Sequence, residues 1–203
     1  MEQDPEDLKN PLYLGVDVGR EHDLTVFWLV EKVGGVYFTR QLIELKGEAF
    51  SEQERIFYEL LRLPQLRRCC VDKTGIGMQF AERAAERFGT YKVEGIGFTG
   101  PVKEELAYPV RAAFEDKNLR IPMSDQIRAD LRAVKKETTS AGNIRFTADR
   151  GKNGHSDRFW ALALALHAGK DAGFAGTMKR FVGSARSRRG DALRSRRERS
   201  LLG

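Results

Sequence analysis

The stretch "LYLGVDVGREHDLTVFWLV", residues 12–30, places a carboxylate, Asp17, at the end of an apolar run. Leu12, Leu14 and Val16 alternate with other residues in the way that one face of a β-strand does. Burying an unpaired carboxylate is costly in free energy. Either a cation lies beside Asp17, or the strand ends there and the acid faces a cleft.

Length and composition favour one domain followed by a tail. The chain has 203 residues, of which 41% are hydrophobic, enough for a substantial core. No run approaches the roughly 20 consecutive apolar residues of a membrane span, and the acidic N-terminus is unlike a secretory signal. The only cysteines are the neighbours Cys69 and Cys70, which favours a reduced, cytosolic compartment and argues against a metal–thiolate site.

Positive charge is concentrated at the C-terminus. Residues 174–203 contain nine Lys or Arg and two acids, a net charge of +7, which leaves −1 for residues 1–173. We therefore expect a polar leader at 1–10, a folded domain at 11–172 and a flexible basic tail at 173–203. The tail either attracts a polyanion or only keeps the protein in solution.

The order of expected elements predicts an α/β fold with a mixed sheet. Gly34-Gly35 is typical of a hairpin turn, and Ser51 with Glu54 forms a capping-box pattern. Three strands in hairpin order, then alternating strands and helices, favour antiparallel and parallel strands in one sheet flanked by helices. The expected strands are 12–18, 24–33, 36–45, 69–71, 91–98 and an edge strand at 143–148, and the expected helices are 51–63, 77–88, 102–118, 125–136 and one from about 156.

Three acids stand where such a fold forms a cleft. Asp17 and Asp72 each end an expected strand, and Asp157 opens a helix that is apolar almost all round. The carboxyl ends of strands line the ligand crevice of an open α/β sheet. Converging carboxylates are tolerable when divalent cations neutralise them, and oxygen ligands suit Mg²⁺ or Mn²⁺. Two such ions about 3.5–4 Å apart form the clamp used in phosphodiester hydrolysis.

Each acid also has a purely structural reading. Asp17 could begin a turn, Asp72 could cap the helix that follows it, and Asp157 could be only a favourable charge in a first helical turn. The three together, in this order, favour the metal site.

The chain resembles the nuclease domain of phage terminase large subunits of the Mu-like type, which have a ribonuclease-H-like fold. The resemblance covers about residues 11–170 and lies in "GVDVGREHDLTV" (15–26), "VDKTGIG" (71–77) and "GHSDRFWALALALHA" (154–168). It implies metal-dependent endonucleolytic cleavage of concatemeric viral DNA during packaging. It also implies that Asp17, Asp72 and Asp157 are metal ligands.

Large terminase subunits also carry an ATPase motor, and this chain has no G-x-x-x-x-G-K-[ST] stretch. We therefore expect the nuclease half alone, a C-terminal fragment whose own polypeptide would supply the ATPase domain. The resemblance further implies double-stranded DNA, the portal and the small terminase subunit as partners. It implies the cytoplasm of an infected bacterial host as the location, without a membrane.

Further residues are candidates for accessory roles. Asp23, His155 and Lys73 could support the acids, and Lys152 and Arg158 flank Asp157 and could contact phosphate. In the tail we expect DNA contacts from Arg186, Arg188, Arg189, Arg194, Arg196 and Arg197.

Three other functions stay open. An actin-like or sugar-kinase-like ATPase would need a second domain and a second phosphate hairpin. Another ribonuclease-H-like nuclease, of the junction resolvase or transposase type, would carry similar acids. A non-catalytic module could use the basic tail to dock on DNA or on a portal.

Overall fold

A computed structural model describes residues 5–19, 24–138, 144–148 and 156–170. After a short 3-10 helix at Pro5–Asp7, the strands and helices follow the order expected for an α/β domain. They are β1 (Leu12–Asp17), β2 (Leu24–Val33), β3 (Val36–Lys46), α1 (Phe50–Arg62), β4 (Leu66–Asp72), α2 (Gly77–Phe88), β5 (Val93–Ile96), α3 (Gly100–Glu115), β6 (Leu119–Arg120), α4 (Asp125–Ala133), β7 (Val134–Thr138), β8 (Ile144–Ala148) and α5 (Asp157–Lys170).

The main sheet has six strands in the order β5-β4-β1-β2-β3-β6. The strands β1, β2 and β3 pair antiparallel, whereas β4 joins β1, β5 joins β4 and β6 joins β3 in parallel. Gly34 and Gly35 have φ values of +55° and +92°, which allow the two-residue turn between β2 and β3. The predicted mixed sheet is confirmed.

Helices cover both faces of this sheet. On one face, Phe27 of β2 packs with Phe57 of α1 and Phe80 of α2. On the other, Trp28 packs with residues of α3, α4 and α5. Because neighbouring residues in a strand point to opposite faces, Phe27 and Trp28 serve different cores. We call these the α1/α2 face and the α5 face.

Helix α5 lies in the middle of its core. Every residue from Asp157 to Leu166 is buried, including Leu162 and Leu164, which are fully inaccessible. A helix without a polar side suits this position, as the sequence predicts. The α5 face therefore holds the segment that begins with Asp157.

Three local predictions are wrong. Helix α1 is capped at Ala49 with no side-chain hydrogen bond, so Ser51 lies inside the helix rather than at its cap. Helix α4 ends at Ala133, and Val134–Thr138 continues as strand β7. Strand β8 pairs with β7 in a separate two-stranded sheet and is not an edge of the main sheet.

The expected N-terminal leader contributes to the folded core. Leu8, in the expected leader, is buried at 4% exposure and belongs to the core of the α1/α2 face. The expected tail at 173–203 lies outside the described residues. Among the helices that are described, none is both long enough and apolar enough to cross a membrane.

Candidate active site

Asp17 and Asp72 end adjacent parallel strands. Val16 of β1 is in register with Val71 of β4, so the next residue of each strand is an aspartate. Val16 and Val71 belong to the core of the α1/α2 face. Side chains alternate along a strand, so both aspartates lie on the α5 face.

Helix α5 brings the third acid to the same edge. A Cβ atom on Gly15 would overlap the carbonyl oxygen of Ala161, so the backbones of β1 and α5 touch there. At the other end of the helix, the carbonyl of Gly169 accepts a hydrogen bond from Lys32 at 3.2 Å, and Lys32 pairs with the residue before β1. The helix therefore runs antiparallel to β1, and Asp157, one turn before Ala161, starts where β1 ends.

Two loops fix the backbone around these acids. The amide of Gly19 donates to the Thr25 hydroxyl at 2.9 Å, and that hydroxyl donates to Gln53 at 2.8 Å. After β4, Gly77 packs so tightly on the carbonyl oxygen of Asp72 that a Cβ atom would overlap it. Only glycine allows that approach, which keeps the start of α2 against the end of β4.

Asp72 is half-buried and hydrogen-bonded. Its Oδ1 accepts from the backbone amide of Thr74 at 2.9 Å and from the Thr74 hydroxyl at 2.6 Å. Burial raises the pKa of Asp72 above its usual range, although the Thr74 hydrogen bonds and the positive charge of Lys103 act in the opposite direction. The carboxylate is thus held in one orientation while its charge is incompletely compensated.

Lys103 is the residue that the sequence analysis missed. It lies in the first turn of α3, with its ammonium nitrogen 5.0 Å from the ring centre of Trp160 and 5.5 Å from that of Phe98. Trp160 follows Asp157 by one helical turn, so it shares a side of α5 with that acid. The positive charge of Lys103 also lowers the pKa of Asp72, against the larger effect of burial.

Lys73, predicted as an accessory residue, points elsewhere. Its side chain runs along β5, where Cβ atoms on Gly95 and Gly97 would lie 3.2–3.3 Å from it. Gly95 also meets Ala81 of α2, so Lys73 lies on the α1/α2 face. The accessory role predicted for Lys73 is therefore not part of the site proposed below.

Arg158 has structural partners. Its guanidinium binds Glu44 of β3 through two bonds of 2.7 and 2.8 Å, and Asp130 of α4 at 3.0 Å. These acids raise the pKa of Arg158, and the residue is only 9% exposed. Arg158 therefore joins β3, α4 and α5, and we no longer place it in the DNA surface.

Several predicted site residues lie outside the described residues. They are Asp23, Lys152, His155 and the tail arginines Arg186, Arg188, Arg189, Arg194, Arg196 and Arg197. Their roles stay predictions.

A second group of metal-ligand side chains lies farther down β4. Potential ligand atoms of Cys70, Glu94 and His167 come within 4.8 Å of one another. The Glu94 carboxylate already forms an ion pair with the Arg68 guanidinium. That cation already compensates the charge of Glu94. Asp17, Asp72 and Asp157 lie at one edge, because β1 and β4 end there and α5 begins there, but among the described residues their carboxylate oxygens do not all come within 4.8 Å of one another.

The sequence profile of the terminase RNaseH-like domain matches residues 14–168, well over half of the chain. The chain belongs to this terminase family. The predicted resemblance is therefore confirmed, and the family match includes Asp17, Asp72 and Asp157.

Two curated proteins are similar to most of this chain. Mu-like prophage FluMu protein gp28 of Haemophilus influenzae is 28% identical over 159 residues, 76% of this chain and 31% of that protein. The probable terminase, large subunit gp28, of Escherichia phage Mu is 27% identical over 171 residues, 81% of this chain and 31% of that protein. The chain thus spans about a third of the length of these curated relatives.

Solved structures share the terminase fold. The large terminase nuclease of the thermophilic phage G20c with bound magnesium has a TM-score of 0.65 and 23% identity, over 78% of this chain and 82% of that one. The large terminase of bacteriophage HK97 has a TM-score of 0.62 and 13% identity, over 79% of this chain and 40% of that one. The ribonuclease-H-like fold is therefore confirmed.

Proposed function

We propose that this terminase domain is a DNA endonuclease that uses divalent cations, and that it cuts concatemeric viral DNA during packaging. One observation carries the proposal. Asp17 and Asp72 end neighbouring parallel strands on the α5 face, and α5 starts at that edge with Asp157. Family membership makes DNA the expected substrate.

The donor set fits a hard divalent cation. All three side chains offer carboxylate oxygen, the ligand type that Mg²⁺ and Mn²⁺ prefer. Burial disfavours the charged form of Asp72, and cations bound at this edge would offset that cost and the repulsion among the three acids. When bound, Mg²⁺ or Mn²⁺, which we propose as a pair of ions, would polarise the phosphodiester and lower the pKa of a water molecule.

The chain's own residues hold this arrangement before substrate arrives. Thr74 fixes the Asp72 carboxylate, the contact of Gly15 with Ala161 sets the position of Asp157, and Thr25 anchors the loop after Asp17. Side chains that are already in position need no reorganisation during the reaction, and such preorganisation accounts for much of the rate enhancement of enzyme active sites.

The wider role follows from the terminase family. Double-stranded DNA is the proposed substrate, and an ATPase domain of the same polypeptide, the portal and the small terminase subunit are the proposed partners. The proposed location is the cytoplasm of an infected bacterial host. Because the chain spans about a third of its curated relatives, these partners belong to the whole subunit.

Plasmid cleavage tests the proposal. The wild-type domain should nick or linearise supercoiled plasmid with Mg²⁺ or Mn²⁺ and stop when EDTA is added. Asp17→Asn, Asp72→Asn and Asp157→Asn should each lose most of the activity, whereas the exposed Asp116→Asn at the C-terminal end of α3 should keep it. Cleavage that survives EDTA would contradict the metal requirement, and a fully active Asp157→Asn would remove that residue from the site.

A domain that is folded and never cleaves would instead favour the non-catalytic docking module. Circular dichroism of each variant separates loss of cleavage from loss of fold. Binding of DNA without cleavage would then assign the tail, rather than the acids, to the protein's role in packaging.

A further inference from the structure

An acid cluster that cuts DNA faces an electrostatic problem. Three carboxylates repel the negatively charged phosphodiester of the substrate. The same carboxylates also neutralise part of the charge of any cation bound there, so less of it is left to attract the phosphate. A fixed positive charge beside the cluster would attract the phosphate without being a metal ligand. Helix α3 carries such a group.

Lys103 has the required position. Its ammonium lies over Trp160, one turn from Asp157, and over Phe98, two residues beyond the end of β5. Strand β5 pairs with β4 so that Ile96 is opposite Asp72. The lysine thus stands beside the edge at which β4 and α5 present their acids.

The two rings restrict the lysine. Phe98 and Trp160 pack with ring centres 5.2 Å apart, and Trp160 is 4% exposed, so the pair is a fixed surface. An ammonium within about 6 Å of an aromatic face is attracted to it by the ring's electrostatic field. A flexible lysine side chain is thereby held near one place, and its three donors stay free to turn towards an oxygen anion.

We propose that Lys103 binds the DNA phosphate at the acid cluster, as a substrate-binding residue distinct from the metal ligands. The inference rests on the proposed nuclease function.

Lys73 provides a matched control. It follows Asp72 directly, yet its side chain lies on the opposite face of the sheet, against Gly95 and Gly97. Both lysines are near the acids in sequence or in space, and only Lys103 is on their face. If only the total positive charge of the domain mattered, Lys103→Gln and Lys73→Gln would reduce cleavage equally.

The first measurement is single-turnover cleavage with Mn²⁺. Lys103→Gln should cut on the order of 10- to 100-fold more slowly than wild type, the usual effect of losing one charge-assisted hydrogen bond. Lys103→Arg should recover part of the rate, and Lys73→Gln should stay within about twofold of wild type. Equal rates for wild type and Lys103→Gln would overturn the assignment while leaving the nuclease proposal intact.

The second measurement is Mn²⁺ binding without DNA, by titration calorimetry. Removing a neighbouring positive charge should leave Mn²⁺ affinity unchanged or increase it. A weaker affinity in Lys103→Gln would mean that the lysine supports the metal ligands, which overturns a phosphate-binding role.

The third measurement keeps the two proposals separable if the wild-type protein does not cleave at all. The affinity of a short duplex is then measured in Mn²⁺ at several salt concentrations. Lys103→Gln should reduce the log–log salt slope by about 0.9, the value for one phosphate contact, and Lys73→Gln should not. An unchanged slope in Lys103→Gln would overturn the assignment.

Discussion

The Cα atom of Gly15 faces the carbonyl oxygen of Ala161 so closely that any side chain at residue 15 would overlap it. This contact joins the strand that ends at Asp17 to the helix that begins at Asp157. It fixes how closely α5 approaches β1 and which residues of the helix lie opposite the strand. The small residue before the first acid is therefore a structural condition for the third acid to reach the cluster.

Gly15→Ala should destabilise the fold and displace Asp157. Overpacking in a core usually costs about 1–3 kcal/mol. Here the atoms that a Cβ would meet are backbone atoms of Ala161 and Ala165, which move less easily than side chains. Urea denaturation measures the loss. Gly100→Ala is the matched control, because nothing lies within 4 Å of a Cβ atom at that position, and it should be neutral or slightly stabilising. Equal stability of wild type and Gly15→Ala would contradict the contact.

Asp72→Asn should stabilise the metal-free protein at neutral pH. Burial raises the pKa of Asp72 in the folded state, so the unfolded chain loses this proton first and the free energy of unfolding falls as the pH rises above about 4. Asparagine removes that penalty and can still accept the hydrogen bonds of Thr74. The melting temperature of the variant should exceed that of wild type at pH 7.5, by a margin that shrinks towards pH 4.

Metal should reverse that order. Mn²⁺ binds the folded state of the wild-type protein and raises its melting temperature by mass action, and the variant should respond much less. If the metal-free Asp72→Asn variant melts below wild type at every pH, the carboxylate is stabilising and the account of its surroundings is incorrect.

Arg158→Gln should destabilise the fold strongly and leave DNA affinity nearly unchanged. The guanidinium is 11% exposed and binds two carboxylates, and breaking such a buried pair costs about 3 kcal/mol or more. In the control Arg111→Gln, an exposed ion pair with Glu115 is lost, and the loss of stability should be much smaller. Denaturation and duplex binding measure the two effects. A stable Arg158→Gln protein with reduced DNA affinity would restore the DNA contact that the sequence suggested.

Deleting residues 174–203 should weaken nonspecific DNA binding. The segment has a net charge of +7, whereas residues 1–173 have a net charge of −1. It should therefore neutralise several phosphates. Each would contribute roughly −0.9 to the log–log salt slope. Cleavage at saturating protein should persist, because the acids belong to the body. If the salt slope is unchanged by the deletion, the tail serves a protein partner such as the portal.

The sequence predicts those parts of the fold that local patterns decide. Strand β2 and its Gly34-Gly35 turn follow from β-branched and aromatic residues and from a turn that needs positive φ. The burial of α5 follows from a helix without a polar side. The sequence alone does not place Asp17 next to Asp72, because only the structure shows that β1 and β4 are neighbouring strands.

The interactions of Arg158 and Lys103 involve residues far from them along the chain, which is why local patterns miss them. Arg158 stands beside an acid in sequence, yet its partner Glu44 is 114 residues away. Lys103 reaches the site through rings on two other segments, and no local spacing indicates that. Val134–Thr138 forms a strand because β8 pairs with it, although its own sequence continues the pattern of α4.

The central claim is that Asp17, Asp72 and Asp157 hold catalytic divalent cations. Crystals of the domain soaked in Mn²⁺ test it most directly, through the anomalous difference map at an energy where manganese scatters strongly. We predict two peaks, each within coordination distance of at least one of these carboxylates, and none in crystals of Asp157→Asn soaked in the same way. An ordered cluster without a peak, or manganese bound only beside Cys70, Glu94 and His167, would contradict the account.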